Sequence, residues 1–426
     1  MIIACAMIAW GLADTSRVWE YPFLLGTTAC LVLGPQIIGV LRNPDLVVRL
    51  VREDNGIERA LVMYVLCLVM GLAGYRLGAG GKSSKGVSSV QLDDARLFIG
   101  GCVLTGAGYA GYVGLSMLYG SLLGPFMEES EHVEWRGPAV MFNFFMRLIY
   151  PGLACCILSA FDRSTKIKWA IVALGCSAPL AGAVFAAKRG NAAALILLWG
   201  TLLYFGRRIK PPRWTVFAGL LFLLFGVGFF AEYRSYSKLG ADKSDATVEH
   251  VSEPLVDQLG GRASSEFVNA VTIMSAYNTE FSFAWGKGFY NTVIRNFVPR
   301  LLVGGEVKRS LYVDTPDQDR LTGNYYGWRR KSYSYVTGPC DAFRELWYAG
   351  SLLFLVVGMV FRRMWESAVY GGDERTQVFY CCFVPQAMFV MASSVTIMIS
   401  SAAYLFLSLL PVWMFARRRL TSVDVN

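Results

Sequence analysis

The sequence predicts an all-α membrane protein, a polytopic helix bundle interrupted once by a large polar insert. Of its 426 residues, 54% are hydrophobic and only 17% are charged, a larger apolar share than a soluble domain can bury. The apolar residues also occur in runs of about twenty, the length that crosses a bilayer as a helix. These runs stop between residues 232 and 345, so this segment must lie outside the membrane.

The apolar runs predict ten to twelve transmembrane helices. The candidates are Tyr21–Leu41, Ala60–Gly80, Leu97–Leu118, Pro138–Phe161, Ile167–Ala187, Asn191–Phe205, Trp214–Ala231, Leu346–Phe361, Val378–Ile399 and Ala402–Phe415, with Met1–Leu12 as a shorter one. We therefore expect three parts: a transmembrane bundle over residues 1–231, the insert over 232–345, and further transmembrane helices over 346–426.

The basic residues predict the orientation. They group beside apolar runs at Arg163, Lys166 and Lys168; at Arg207, Arg208, Lys210 and Arg213; at Arg362, Arg363 and Arg375; and at Arg417, Arg418 and Arg419. These groups flank alternate helix ends, as cytoplasmic loops do. The net charge of +9 therefore indicates loops that face anionic lipid, and we expect no binding to nucleic acid. The insert is then expected in the periplasm of a bacterium, with the chain in the inner membrane. In the first half, the basic loops around residues 42–59 and 76–96 compete for the cytoplasmic side.

Cysteine and histidine usage excludes several classes of enzyme. Cys340 is the only cysteine of the insert, so no disulfide can form within it. His132 and His250 stand alone in acidic loops, without the partners of a zinc site or of a Ser-His-Asp triad. Asp317-Gln-Asp319 has a form that can hold a divalent cation, but it follows Pro316 and is better explained as a turn. We expect neither a metal nor a cofactor.

The second half of the insert is basic, which suits an anionic ligand. The candidate substrate-binding cations there are Arg295, Lys308, Arg309, Arg329, Arg330 and Arg344, and Lys188 joins them from the junction of two apolar helices in the bundle. Guanidinium groups match phosphate with paired donors, although cations at a membrane surface can also serve only as lipid anchors. An apolar helical face over Ala263–Asn278 predicts an amphipathic helix that lies along the membrane or on the bundle.

Aromatic and acidic residues complete the candidate site. Tyr325, Tyr326 and Trp328 carry flat rings that can stack on sugars. Glu280, Asp341 and Glu345 are the carboxylates that could act as a base toward an incoming hydroxyl, and the sequence does not rank them.

Several short motifs together resemble one family. They are Glu280-Phe-Ser-Phe, Gly286-Lys-Gly-Phe-Tyr, Phe297-Val-Pro-Arg, Thr337-Gly-Pro, Arg344-Glu-Leu-Trp-Tyr-Ala-Gly, and Arg189-Gly190 followed by Gly200. In this combination the chain resembles the bacterial oligosaccharide repeat-unit polymerases of the Wzy type, which make O-antigen and exopolysaccharide. It departs from the family pattern after Arg300, where Gly304-Gly-Glu-Val-Lys308 replaces the usual Lys-Pro.

The resemblance implies a glycosyltransferase with a GT-C-like helical fold. Such an enzyme moves a growing glycan from undecaprenyl diphosphate onto a new lipid-linked repeat unit at the outer face of the inner membrane. Arg189 and Arg300 are then expected to stabilise the diphosphate leaving group, with Glu280 and Glu345 as further catalytic residues. The expected partners are undecaprenyl-diphosphate-linked oligosaccharide, membrane lipids, a chain-length-determining membrane protein and a flippase.

Two other functions stay open at this point. A ligase that transfers finished glycan to another lipid acceptor, like the O-antigen ligases, would share the fold and the arginines. A transporter or flippase would need polar groups along a path through its helices. Arg147 is almost the only charge in the middle of a predicted helix, which disfavours ion-coupled transport.

Overall fold

The structure, a computed structural model, describes residues 1–51, 55–80, 91–122, 138–185, 189–224, 266–298, 303–328 and 336–417. In these ranges the regular structure is entirely helical, with no strand, which confirms the predicted all-α class. In chain order the helices are α1 Ile2–Ala13, α2 Tyr21–Arg42, α3 Asp45–Val51, α4 Gly56–Leu77, α5 Asp94–Tyr119, α6 Pro138–Met146, α7 Ile149–Asp162, α8 Lys166–Val184, α9 Arg189–Arg207, α10 Arg213–Leu224, α11 Glu266–Thr279, α12 Lys287–Phe297, α13 Gly305–Ser310, α14 Gln318–Tyr326, α15 Gly338–Leu346, α16 Leu352–Val369, α17 Glu374–Phe389 and α18 Val395–Ala416.

Seven helical stretches of the described residues are long and apolar enough to cross a membrane. They are Tyr21–Arg42, Gly56–Leu77, Asp94–Tyr119, Pro138–Asp162, Lys166–Val184, Gly338–Val369 and Val395–Ala416. A polytopic membrane bundle is thus confirmed, while the total of ten to twelve helices stays a prediction.

One predicted helix, Val378–Ile399, is wrong, because the chain turns between α17 and α18. The amides of Ala392 and Ser393 donate back to the carbonyl of Phe389, at 2.9 and 2.7 Å, and close the turn. Ser394 then begins α18 by accepting the amide of Thr396 at 3.1 Å, as an N-cap serine does. Hydropathy does not reveal this break, because the residues around it are apolar or small.

The contacts between helix ends define one face of the bundle, which we call the basic-loop face. Lys168 lies 2.9 Å from Asp94, Arg362 lies 3.6 Å from Glu20, and Arg208 donates to the carbonyl of Val369. The C-terminal end of α4 is on this face too, since the amide of Gly80, just after the helix, donates to Glu366 at 2.9 Å. The predicted basic groups around Lys168, around Arg362 and at residues 207–213 therefore share one side with the C-terminal end of α4, where Arg76 lies.

The opposite end of the bundle is the insert face. Arg59, at the start of α4, donates to Ser275 of α11 at 3.4 Å, and Gln36 donates to Glu266 at 2.6 Å. The loop around residues 42–59 therefore lies beside the insert helices, away from the basic-loop face. This arrangement resolves which of the two competing loops joins the other basic groups.

The predicted amphipathic helix of the insert is a core helix in the structure. It spans Glu266–Thr279, and besides Phe267 every residue from Asn269 to Tyr277 is buried. It packs against α4 on one side and against α15 on another. Of the two positions expected for it, the bundle is the one observed, and its polar side is buried along with its apolar side.

Candidate functional site

Two motif segments that are distant in sequence meet on the insert face, and we call this contact the motif junction. The amides of Ala284 and Trp285 donate to the carbonyls of Arg344 and Glu345, at 3.0 and 2.7 Å. Gly286 follows with a φ of 84°, a left-handed conformation suited to glycine, and α12 begins at the next residue. The junction thus places the start of α12 against the end of α15.

The Glu345 side chain fastens α12 to the junction. Its carboxylate accepts the amide of Gly288, in the first turn of α12, at 3.1 Å. A carboxylate is favourable there because the first amides of a helix have no partner within it and carry partial positive charge. A Cβ on Gly288 would lie only 1.9 Å from Glu345 Oε1, so no larger residue fits without moving this carboxylate. Glu345 is itself fully buried.

Arg344 holds two carboxylates at the junction. Its Nη2 atom lies 3.2 Å from Asp341 Oδ1 and 3.4 Å from Glu345 Oε1. Its Nη1 atom donates to Gln318 Oε1 at 3.2 Å, which ties in α14. Because its charge already faces two acids, this guanidinium is better placed to position them than to bind another anion.

Two further polar groups extend the junction. Ser394, the N-cap of α18, donates a short hydrogen bond to Asp341. Tyr277 of α11 donates its hydroxyl to the carbonyl of Pro316 at 3.1 Å, and burial raises the pKa of this phenol, so it stays protonated. The network therefore connects five helices: α11, α12, α14, α15 and α18.

An aromatic cluster covers the junction. Phe283 is buried at its centre, with ring centroids 5.3 Å from Phe281, 5.9 Å from Trp285 and 6.5 Å from Trp347. These three outer residues have φ of 47°, 52° and 53°, and they are 67%, 61% and 41% exposed. Bulky side chains rarely adopt this conformation, which costs about 1–3 kcal/mol for each residue. The chain thus holds three exposed rings at strained positions.

The other predicted site residues are dispersed. Glu280 is exposed, three residues after Tyr277, the last buried residue of α11, and Arg295 and Arg309 are exposed on α12 and α13. Lys308 donates to the carbonyl of Arg295 at 2.9 Å. Tyr326 and Trp328 are half-buried against the core. Lys188, Arg300, Arg329 and Arg330 lie outside the described residues, as do the side chains of Arg189 and Tyr325.

The sequence predicts a turn at Asp317-Gln-Asp319, and in the structure this segment is the start of a helix. Asp317 accepts the amides of Asp319 and Arg320, at 3.0 and 3.4 Å, and so caps α14. Among the residues described by the structure, no three His, Cys, Asp or Glu side chains are grouped so that they could hold a metal ion.

Sequence reasoning missed Gln318, Ser394 and the role of Gly288. The only local signal is the spacing of Asp341, Arg344 and Glu345, which places the three charges within about one helical turn. When the chain is compared with protein-family models, curated proteins and solved structures, none of them matches it. Its function must therefore be inferred from the junction and the motifs that form it.

Proposed function

We propose that this protein is a membrane glycosyltransferase that polymerises undecaprenyl-diphosphate-linked repeat units into a surface polysaccharide or an exopolysaccharide. The observation that carries the proposal is the motif junction. The Gly286-Lys-Gly-Phe-Tyr segment and the Arg344-Glu345 segment, by which the chain resembles the polymerases, bind each other through Gly288 and Glu345 across 57 residues of sequence. Chance matches between short motifs give no reason for such a contact.

The junction also supports a role for the turn that follows α12. This helix has 11 residues, about 16 Å in length, and it leads to Val298-Pro299-Arg300. By fixing the start of α12, Glu345 and Arg344 determine where the chain continues toward Arg300. We propose that Arg300 and Arg189 together stabilise the diphosphate as it leaves.

Among the three candidate carboxylates, exposure favours Glu280 as the base. Glu345 is fully buried and Asp341 is 2% exposed, and both are bound to Arg344, whereas Glu280 is exposed beside the strained Phe281. In the proposed step Glu280 takes the proton of the acceptor hydroxyl, while the oxygen of that hydroxyl bonds to the anomeric carbon of the donor sugar. The bond from that carbon to the diphosphate breaks, and its electron pair leaves with the lipid diphosphate.

The exposed rings of Phe281, Trp285 and Trp347 suit the sugar part of the substrate. Aromatic faces stack on the apolar faces of sugar rings, and held rings lose little conformational freedom when they do so. The reaction would take place at the outer face of the bacterial inner membrane, with the basic-loop face in the cytoplasm.

The proposal is tested with the purified protein in nanodiscs and a lipid-linked repeat unit as the only substrate. We expect a ladder of products that differ by one repeat unit, and transfer of a single glycan to another lipid would instead indicate a ligase. Glu280→Gln should abolish the ladder, while Glu306→Gln, at another exposed glutamate of the insert, should leave it unchanged. No product from the wild type would contradict the proposal.

The arginine assignment has its own test. Lysine keeps the charge but loses the paired donors, and a hydrogen bond to a charged group contributes roughly 1.5–3 kcal/mol. Arg189→Lys and Arg300→Lys should each slow polymer formation about tenfold or more at unchanged protein level, and the double variant should deviate from additivity. If both lysine variants polymerise at the wild-type rate, these arginines serve only as lipid anchors.

A further inference from the structure

Helix α12 has an apolar face that the protein covers only in part. At 100° per residue, Phe289, Tyr290, Val293, Ile294 and Phe297 fall on one side of the helix. Ile294 is buried, but Tyr290 is 44% exposed and Val293 is 42% exposed. These last two are three residues apart and adjacent on the helix surface, so they form one exposed apolar strip.

Contacts place this strip beside a membrane-spanning helix. Asn296 of α12 donates to the hydroxyl of Ser400 at 2.7 Å. Ser400 is in α18, about 8 Å along the helix from its first residue, Val395. Ile397 and Ile399, close to Ser400 near the start of α18, are each 38% exposed. They flank Ser400 on either side of the helix, so exposed apolar surface of the transmembrane helix borders its contact with α12.

Cations lie on the other sides of α12 and on the neighbouring α13. Lys287 and Arg295 are exposed on α12, and Arg309 is exposed on α13, which is fastened to α12 by the bond from Lys308 to the Arg295 carbonyl. Lys287 stands in the first turn of its helix, where the helix dipole disfavours a positive charge. The helix alone gains nothing from this lysine, whereas an anionic partner would.

We propose that α12 lies in the membrane surface, with Tyr290 and Val293 in the upper acyl layer and Lys287, Arg295 and Arg309 on the head groups of anionic phospholipids. An exposed apolar strip that borders a transmembrane helix, with cations on the other sides of its own helix, is the arrangement of an interfacial helix. Each cation near an anionic membrane surface contributes about a fivefold preference for it. This inference does not depend on the proposed reaction, since an inactive protein would bind lipid in the same way.

The depth of α12 is tested by fluorescence quenching in nanodiscs. A fluorescent non-canonical amino acid is placed at Val293, at Tyr290 in a second variant, and at the exposed Asp319 of α14 as the control. Phosphatidylcholine brominated on its acyl chains should quench the probes at 293 and 290 at least threefold more than the probe at 319. Equal quenching at all three positions would overturn the proposal.

The lipid charge is tested with the same probes. At equal mole fraction, brominated phosphatidylglycerol should quench the probe at Val293 at least about twofold more than brominated phosphatidylcholine. The double change Lys287→Gln and Arg295→Gln should bring this ratio close to one. A wild-type ratio of one would contradict the assignment of anionic lipid as the partner.

Discussion

At the scale of single residues, the contact between Gly288 and Glu345 is the most restrictive feature of the motif junction. Gly288→Ala would place a Cβ atom 1.9 Å from Glu345 Oε1, so the carboxylate must leave the Gly288 amide or shift Arg344. A buried carboxylate that loses a hydrogen bond costs about 1–3 kcal/mol. We expect a lower midpoint of thermal unfolding in detergent and slower glycan transfer.

A matched glycine elsewhere in the insert supplies the control. Gly323 is also inside a helix, α14, but a Cβ there would meet no atom within 4 Å. Gly323→Ala should therefore leave the midpoint of thermal unfolding unchanged or raise it, because alanine is favoured over glycine inside a helix by about 0.5–1 kcal/mol. If both alanine variants behave alike, the close approach at Gly288 does not constrain the junction.

At the scale of helices, a polar clamp holds α5, α7 and α8 together on the basic-loop face. Lys168 donates to Asp94 at 2.9 Å and to the Ser159 hydroxyl at 2.7 Å, and its side chain is only 12% exposed. Lys168→Met would leave the carboxylate of Asp94 without its cation in a largely desolvated position. We expect a loss of about 2–4 kcal/mol of unfolding free energy.

A second ion pair, between exposed side chains, provides the control for the Lys168 prediction. Lys210 lies 3.6 Å from Asp14, with side chains 58% and 41% exposed, so water screens this pair. Lys210→Met should change the unfolding free energy by less than about 1 kcal/mol. The double variant Lys168→Met with Asp94→Asn should lose less than the sum of its single changes, since each removes the same ion pair. Additive losses would show that Lys168 and Asp94 are not coupled.

At the scale of the whole molecule, the two faces of the bundle should lie on opposite sides of the membrane. Cys340 is buried and cannot report on this, so the test introduces cysteines at Asp319 and at Tyr370, in a chain whose exposed Cys5 is serine. In cells permeable only at the outer membrane, an impermeant thiol reagent should label Asp319→Cys. Tyr370→Cys, in the turn after α16, should react only once the inner membrane is broken. The reverse pattern would invert the orientation.

The transmembrane helices could be predicted from the sequence because their information is local. A run of about twenty apolar residues is sufficient, and Gly56–Leu77 and Asp94–Tyr119 lie within a few residues of the predicted bounds. The apolar face of α11 does not reveal that its polar residues Asn269, Thr272 and Ser275 are buried as well. In the structure Thr272 donates to the carbonyl of Val268, and Ser275 accepts from Arg59, so these two hydroxyl groups are buried with hydrogen-bond partners.

The candidate site was harder to predict, since its contacts join residues far apart in the chain. The sequence indicated Glu345 and Arg344 individually, but nothing near them shows that Gly288 and Gln318 are their partners. Their charge types suggested substrate binding and catalysis, whereas their burial favours a positioning role. The burial of Arg344 and Glu345 distinguishes positioning from catalysis, and burial cannot be read from the sequence pattern around them.

The contacts between the two ends of the chain have a consequence for its biosynthesis. Thr28 donates to the carbonyl of Met388, and Tyr64 donates to Thr337, across 360 and 273 residues. At roughly 5–20 residues per second, the ribosome needs about twenty seconds to a minute to supply the partner of Thr28. During that interval the early helices are in the membrane without these long-range contacts, although the Thr28 hydroxyl can still donate to the Leu24 carbonyl of its own helix. Quality-control proteases therefore have their best opportunity before α17 is inserted, and chains that stop short of it should be degraded quickly.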